Sequence, residues 1–182
     1  MPIYEFEGKR PKIGASSYVH PTAVVIGDVV IGEKCWIGPN TTIRADMNRI
    51  RIGDGSNVQD NCVIHGQSTL GDYSHIGHSV TLHGATLGEH VLVAINAVVL
   101  DGAKVGDWCT IAAGAVVAPR ADIPPKKMVM GIPGAIVGDV PARREDGFDG
   151  TRGYIALVDK YKAGLREISL EEAQSQAGAA VS

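Results

Sequence analysis

The stretch IGDGSNVQDNCVIHGQSTLGDYSHIGHSVTLHG, Ile52 to Gly84, decides the fold. Within it an aliphatic residue returns at every sixth position: Ile52, Val58, Ile64, Leu70, Ile76 and Leu82. A period of six fits neither an amphipathic helix nor one long alternating strand. It fits short strands joined at corners, with three hexapeptides closing one triangular coil of eighteen residues. The aliphatic residues then point inward and stack on the coil above, about 4.8 Å away. Each coil leans on its neighbours, as in other solenoids.

Outward from this stretch the pattern persists. After one five-residue step it continues through Leu87, Val93, Val99, Val105, Ile111 and Val117, and an earlier series runs Ile31, Ile37, Ile43. Between the two lies ADMNRIR, residues 45–51, which breaks the phase and is expected to be a loop. Four positions after each aliphatic residue stands a second column, including Cys35, Thr41, Ser56, Cys62, Ser68, Ser74, Ala97, Ala103, Cys109 and Ala115. All three cysteines fall in it, so they read as small packing residues near corners. They form neither a disulfide framework nor a thiolate zinc site. Glycine, at 23 of 182 residues, and Asn/Asp suit corners with unusual backbone angles.

IPPKK followed by MVMGIPGAIVG is too rich in Pro and Gly to continue regular coils. From Thr151 the spacing of Tyr154, Leu157, Val158, Tyr161 and Leu165 becomes helical, with Thr151 as N-cap. Ser169 to Glu172, SLEE, reads as a capping box. The expectation is a β-helix domain with an N-terminal cap over residues 1–135. Residues 136–182 form a linker, a helical segment packed outside the solenoid, and a loose tail.

Bulk properties bound the function. A formal charge of −3 with 20% charged residues leaves no nucleic-acid footprint. The N-terminus has no apolar run ending in a cleavage site, and the apolar run from Val91 to Leu100 is far below membrane-spanning length. A cytoplasmic protein without membrane or nucleic-acid partners is expected.

The opening stretch carries four of the six histidines. His65 follows inward Ile64, and His83 follows inward Leu82, eighteen residues later. One coil apart on one face, their imidazoles can converge on an ion or simply stack. His78 belongs to another face, one coil above Asp60. It would reach that ion most easily from a neighbouring subunit, giving a three-fold ring with a site at each contact. His20, His75 and His90 have no partner at coil spacing and are expected to be solvated or to make local hydrogen bonds.

Three strings carry a resemblance: IRAD at Ile43–Asp46, GDGSNVQDNCVIH at Gly53–His65, and IGHSVTLHG at Ile76–Gly84. Together they resemble the gamma-class carbonic anhydrase family and its bacterial relatives of phenylacetate and carnitine operons. The similarity runs from about Tyr4 to Leu165. It implies a left-handed parallel β-helix, a homotrimer, and His65, His78 and His83 as ligands of an interfacial metal. Zinc is the expected ion, with Fe2+ or Co2+ compatible. It further implies that Arg44 and Asp60 pair across the interface, that Asp46 joins that network, and that Gln59 orients the metal's water. Tyr154 falls where relatives keep a tyrosine near the site.

The activity so implied is reversible hydration of carbon dioxide by a metal-bound hydroxide. The best-characterised branch has a glutamate after IRxD, where this chain has Met47. It also has an acidic proton-exporting loop after the first histidine, where this chain has GQST, Gly66–Thr69. Two other readings follow from the same residues: a metal-dependent acyl-CoA thioesterase, and a catalytically weak, metal-binding trimeric assembly protein.

Overall fold

The computed structural model describes residues 2–141 and 150–177. It is an all-β solenoid, a left-handed β-helix of hexapeptide repeats with helices outside it. Its parallel ladders pair each coil with the next: Ile64 with Leu82, Leu82 with Val99, and Val99 with Val117. One sheet has eight strands and the other twelve, because two long strands, Val24–Ile31 and Thr42–Ile52, turn a corner and join two faces. The three faces are represented by Asn57–Val58, Val63–His65 and Thr69–Leu70.

The inward column is the core. Ile43, Val58, Ile64, Ile76, Leu82, Val93 and Val99 are fully buried. The second column is buried as expected, and its polar members also make hydrogen bonds. The Ser56 hydroxyl donates to the Gly71 carbonyl (3.0 Å), Ser74 to Gly88 (3.1 Å), and the Cys62 thiol to Gly77 (3.0 Å). These side chains satisfy corner carbonyls that the short strands leave unpaired.

The corners need left-handed backbone. On the edge between the first two faces, Asn61, Ser79 and Asn96 have φ of 59°, 58° and 60°. This aims each N–H at the coil below: Ser79 donates to the Asp60 carbonyl (2.9 Å) and Asn96 to that of His78 (3.0 Å). A second edge departs from the expected Gly and Asn/Asp, using Tyr73, His90 and Trp108 at φ of 55° to 61°. Left-handed backbone costs such residues roughly 1–2 kcal/mol each. Their rings stack, with centroids 5.1 and 3.9 Å apart, which offsets part of that cost.

The segment 45–51 is not a loop. It lies inside the strand Thr42–Ile52. Between the pairs Gly27–Ala45 and Val29–Ile50, one strand holds Asp28 alone and the other holds residues 46–49. The phase break is therefore a bulge within a continuous ladder, stepping outward and exposing Met47. Pairing on either side preserves the backbone hydrogen bonds that a free loop would lose.

Helix α1 (Thr151–Gly164) packs on the outside, burying Val158 against Tyr18 and Trp36, with Tyr154, Leu157 and Tyr161 around them. Thr151 is not its N-cap. Gly150 holds that place with φ 76°, and the Thr151 hydroxyl donates to the Tyr73 carbonyl at 3.3 Å, tying the helix to the solenoid. Before α2 (Leu170–Ala177), the Ser169 hydroxyl accepts the Glu172 N–H at 3.0 Å. The reciprocal half of the capping box is absent because the Glu172 carboxylate takes both amino groups of Arg166, at 2.6 and 3.2 Å. The strand Ala135–Asp139 folds back on Lys127–Met130 and spans the boundary expected after residue 135. Residues 178–182 of the expected loose tail lie outside the described residues.

Candidate metal centre

The bulge has a consequence for the site. Most coils repeat every eighteen residues, but Arg44 pairs in register with His65, twenty-one residues away, because of the extra bulge residues. Arg44, His65 and His83 are thus successive members of one column on the face Val63–His65. The chain then steps out at Asp46, whose carboxylate turns back over the column. One oxygen accepts from Arg44 and the other lies 3.0 Å from His65 Nε2. Partial loss of hydration disfavours the Asp46 carboxylate, but the hydrogen bonds from Arg44 and His65 outweigh this and hold its pKa below the usual value.

The imidazoles of His65 and His83 face each other, with Nδ1 of the first 3.1 Å from Nε2 of the second and centroids 5.0 Å apart. The far nitrogen of His83, Nδ1, lies 2.8 Å from Asp101 Oδ1. The result is a chain of four groups, Asp46–His65–His83–Asp101. Its three hydrogen bonds need three N–H protons, whereas two neutral imidazoles carry two. Either one ring is cationic or a cation replaces the middle proton, leaving each ring neutral with its N–H on a carboxylate. The 3.1 Å separation is a hydrogen-bond distance and falls a little short of that between two nitrogens on one ion, so it accommodates either arrangement. Two Zn–N bonds of 2.0–2.1 Å at a tetrahedral angle place the nitrogens about 3.4 Å apart. Carboxylates behind ligating imidazoles are the usual second layer of such sites.

His78 is not on the separate face expected from its spacing but in the corner turn between His75–Ile76 and Thr81–His83, at the far edge of the face that carries His83. Its Nδ1 is 3.3 Å from Asp60 Oδ2, so the column expected from spacing is present. A strand rises about 3.3 Å per residue, which puts His78 and His83 on the order of 15 Å apart. Among the described residues, no three His, Cys, Asp or Glu side chains of one chain form an ion site. Within the chain Arg44 pairs with Asp46 rather than with Asp60, because Arg44 and Asp60 stand at opposite edges.

Gln59 belongs to the His78 edge and is buried. Its amide nitrogen lies 2.8 Å from His75 Nε2 and 3.3 Å from Asn57 Oδ1. Tyr154, from the first turn of α1, packs edge-on against His75 with centroids 5.4 Å apart. Burial, with Asp60 and Tyr161 nearby, raises its phenol pKa. The eight expected site residues therefore separate into two groups. Arg44, Asp46, His65 and His83 hold one edge; Gln59, Asp60, His78 and Tyr154 hold the other.

Sequence reasoning missed two residues. Asp101 is hidden by the five-residue step: Leu82 registers with Val99, seventeen residues on, so Asp101 lies one position beyond the His83 column and coil spacing does not flag it. His75 follows Asn57 by eighteen and makes the local hydrogen bonds expected of it, but to a buried polar cluster beside Gln59.

A cavity of about 530 Å³ opens at the His65–His83 edge. Met47 and Asn48 of the bulge line it from one side, and Thr69, Thr86 and Lys104 from beyond the corner.

The fold and this edge define a hexapeptide-repeat solenoid of the enzyme-associated kind. The chain matches the bacterial transferase hexapeptide (six repeats) family over residues 10–45, 49–84 and 84–119, and belongs to it. Carnitine operon protein CaiE of Escherichia coli is 35% identical over 101 residues, 53% of this chain and 52% of that protein. The chain thus spans about half the length of the curated relatives it matches. A hexapeptide transferase family protein of Anaplasma phagocytophilum superposes with a TM-score of 0.85 at 29% identity, covering 88% of this chain and 98% of that one. A Bacillus cereus protein provisionally called an acetyltransferase gives 0.85 at 33% identity, covering 88% and 96%.

Proposed function

We propose that the chain is a metal-dependent hydrolase of acyl thioesters, acting where the His65–His83 edge of one copy meets the His78 edge of the next. The cavity carries this reading. At about 530 Å³ it matches pockets for whole small molecules, commonly 300–1,000 Å³. Carbon dioxide, with three heavy atoms, would leave most of it empty. The relatives named for transferases point the same way, toward acyl groups rather than carbon dioxide.

A zinc ion, or iron or cobalt, would be held by His65, His83 and a second copy's His78. Bound there, it supplies a Lewis acid for a carbonyl oxygen and an acidified water. The chain's own residues do the rest. Asp46 fixes the His65 ring, and Arg44 holds Asp46 ionised. Gln59, buried and anchored by His75 and Asn57, keeps a rigid amide at the His78 edge. Met47 and Asn48 wall the acyl pocket, while Lys104 offers a cation to an anionic carrier such as coenzyme A. Three copies around an axis bring each edge of the face Val63–His65 against its complement and close the ring. The half-exposed Ile95 and Val63 on this face suit such a contact.

Hydration of carbon dioxide is the second reading, favoured by the paired imidazoles with their carboxylate supports. One sample decides between them. Zinc-loaded protein is assayed for thiol release from an acyl-CoA panel and for carbon dioxide hydration between pH 6 and 9. Thiol release that a chelator abolishes is the expected result. Hydration without thiol release establishes the second reading. Zinc binding with neither activity leaves a metal-stabilised assembly protein and overturns both.

A further inference from the structure

We propose that Asp101 is a positioning residue that commits His83 to presenting Nε2 toward His65 and the ion. This rests on the metal reading above and adds a residue to it. Which nitrogen of an imidazole is free for a metal is set by the hydrogen bond that the other nitrogen makes. Asp101 Oδ1 lies 2.8 Å from His83 Nδ1, so the carboxylate accepts that N–H and leaves Nε2 to face Nδ1 of His65. Asp46 plays the mirrored part at His65, accepting from Nε2 and freeing Nδ1. The two rings therefore offer opposite nitrogens, which is what two imidazoles stacked along one column need to share an ion.

Two further features show that the backbone is built around this contact. The Asp101 corner is pinned in the solenoid, its carbonyl accepting the Arg120 N–H at 2.8 Å. Gly84, directly after His83, has φ 67°, and a Cβ there would lie 2.7 Å from Asp101 Oδ1. The missing side chain at Gly84 leaves the space through which the carboxylate reaches the ring. Asp101 is otherwise exposed, with 65% of its side chain accessible. A carboxylate so placed has no packing role to lose.

The test uses the full chain with Asp101→Ala and Asp101→Asn. Zinc affinity is measured by competition with a chromophoric chelator. The His83 tautomer is read in the metal-free chain by nitrogen–proton correlation NMR above the histidine titration range. The wild type is expected to carry the His83 proton on Nδ1. Asp101→Ala should move it toward Nε2 and weaken zinc binding 10- to 100-fold, the usual effect of losing such a partner. Asp101→Asn retains an accepting oxygen, so it should keep the tautomer and stay within a few-fold of wild-type affinity. All three proteins should unfold at the same temperature. The proposal is overturned if Asp101→Ala changes neither tautomer nor affinity, or if Asp101→Asn is as impaired as Asp101→Ala. If the wild type binds no zinc but its tautomer still responds to Asp101→Ala, the metal reading fails and the positioning role stands.

Discussion

A site divided between two edges can be rebuilt from two broken chains. His65→Ala destroys the edge with Arg44, Asp46 and His83 and leaves the His78 edge whole. His78→Ala does the reverse. Each variant alone should bind almost no zinc, because every site lacks one of three imidazoles. In a trimer each contact takes one edge from one copy and the other edge from the next. A contact is whole only when a His78→Ala chain gives its His65–His83 edge to the His78 edge of a His65→Ala chain. In an equal random mixture about one quarter of contacts meet this condition, and about three quarters of trimers carry a single whole site. The assay is co-expression of differently tagged chains, native mass spectrometry to verify mixed trimers, and zinc per chain. Recovery near one quarter of the wild-type content is expected. Mixed trimers without recovered zinc would refute the reasoning. A site contained in one chain cannot be restored by mixing, since each chain would still lack a ligand.

Three further outcomes follow from the fold. Ile76, fully buried between Val58 and Val93, should cost about 2–5 kcal/mol when changed to Ala, measured by denaturant unfolding. Burial pushes the Cys35 and Cys62 thiols up to about 11, so native protein should give no rapid reaction with a disulfide reagent at pH 8. Unfolded protein should expose all three thiols, and fast labelling of native Cys62 would contradict the buried second column. Hydrogen bonds from the Ser16 hydroxyl and N–H lower the Glu33 pKa below 4.5. Its stabilising contribution should therefore be complete above pH 4.5 and fall away as pH drops through the lower native value. Side-chain carbon NMR with a Glu33 midpoint at or above 4.5 would contradict this.

Much of the architecture is legible in order along the chain. Inward residues recur every six positions because three short strands make a coil, so three runs of that period, separated by the break at residues 45–51 and the five-residue step before Leu87, predict the core from Ile31 to Val117. The second column and the stacking of His65 on His83 follow from the same count. Where that count is broken, legibility ends. ADMNRIR looks like a loop because its apolar spacing fails, yet the backbone keeps pairing through a bulge. Thr151 has the side chain of an N-cap but spends it on the Tyr73 carbonyl. Aromatic residues at the Tyr73 edge defy turn preferences because they stack on one another.

The sequence by itself determined the repeat, the buried columns and the two histidines one coil apart, since these depend only on local period. Tertiary structure decided that Arg44 stands in the histidine column, that Asp46 and Asp101 close on the two imidazoles, and that His78 lies at the opposite edge. The place of Arg44 depends on the bulge residues between it and His65. The rest depend on side chains meeting across coils, which spacing can suggest but only packing can align.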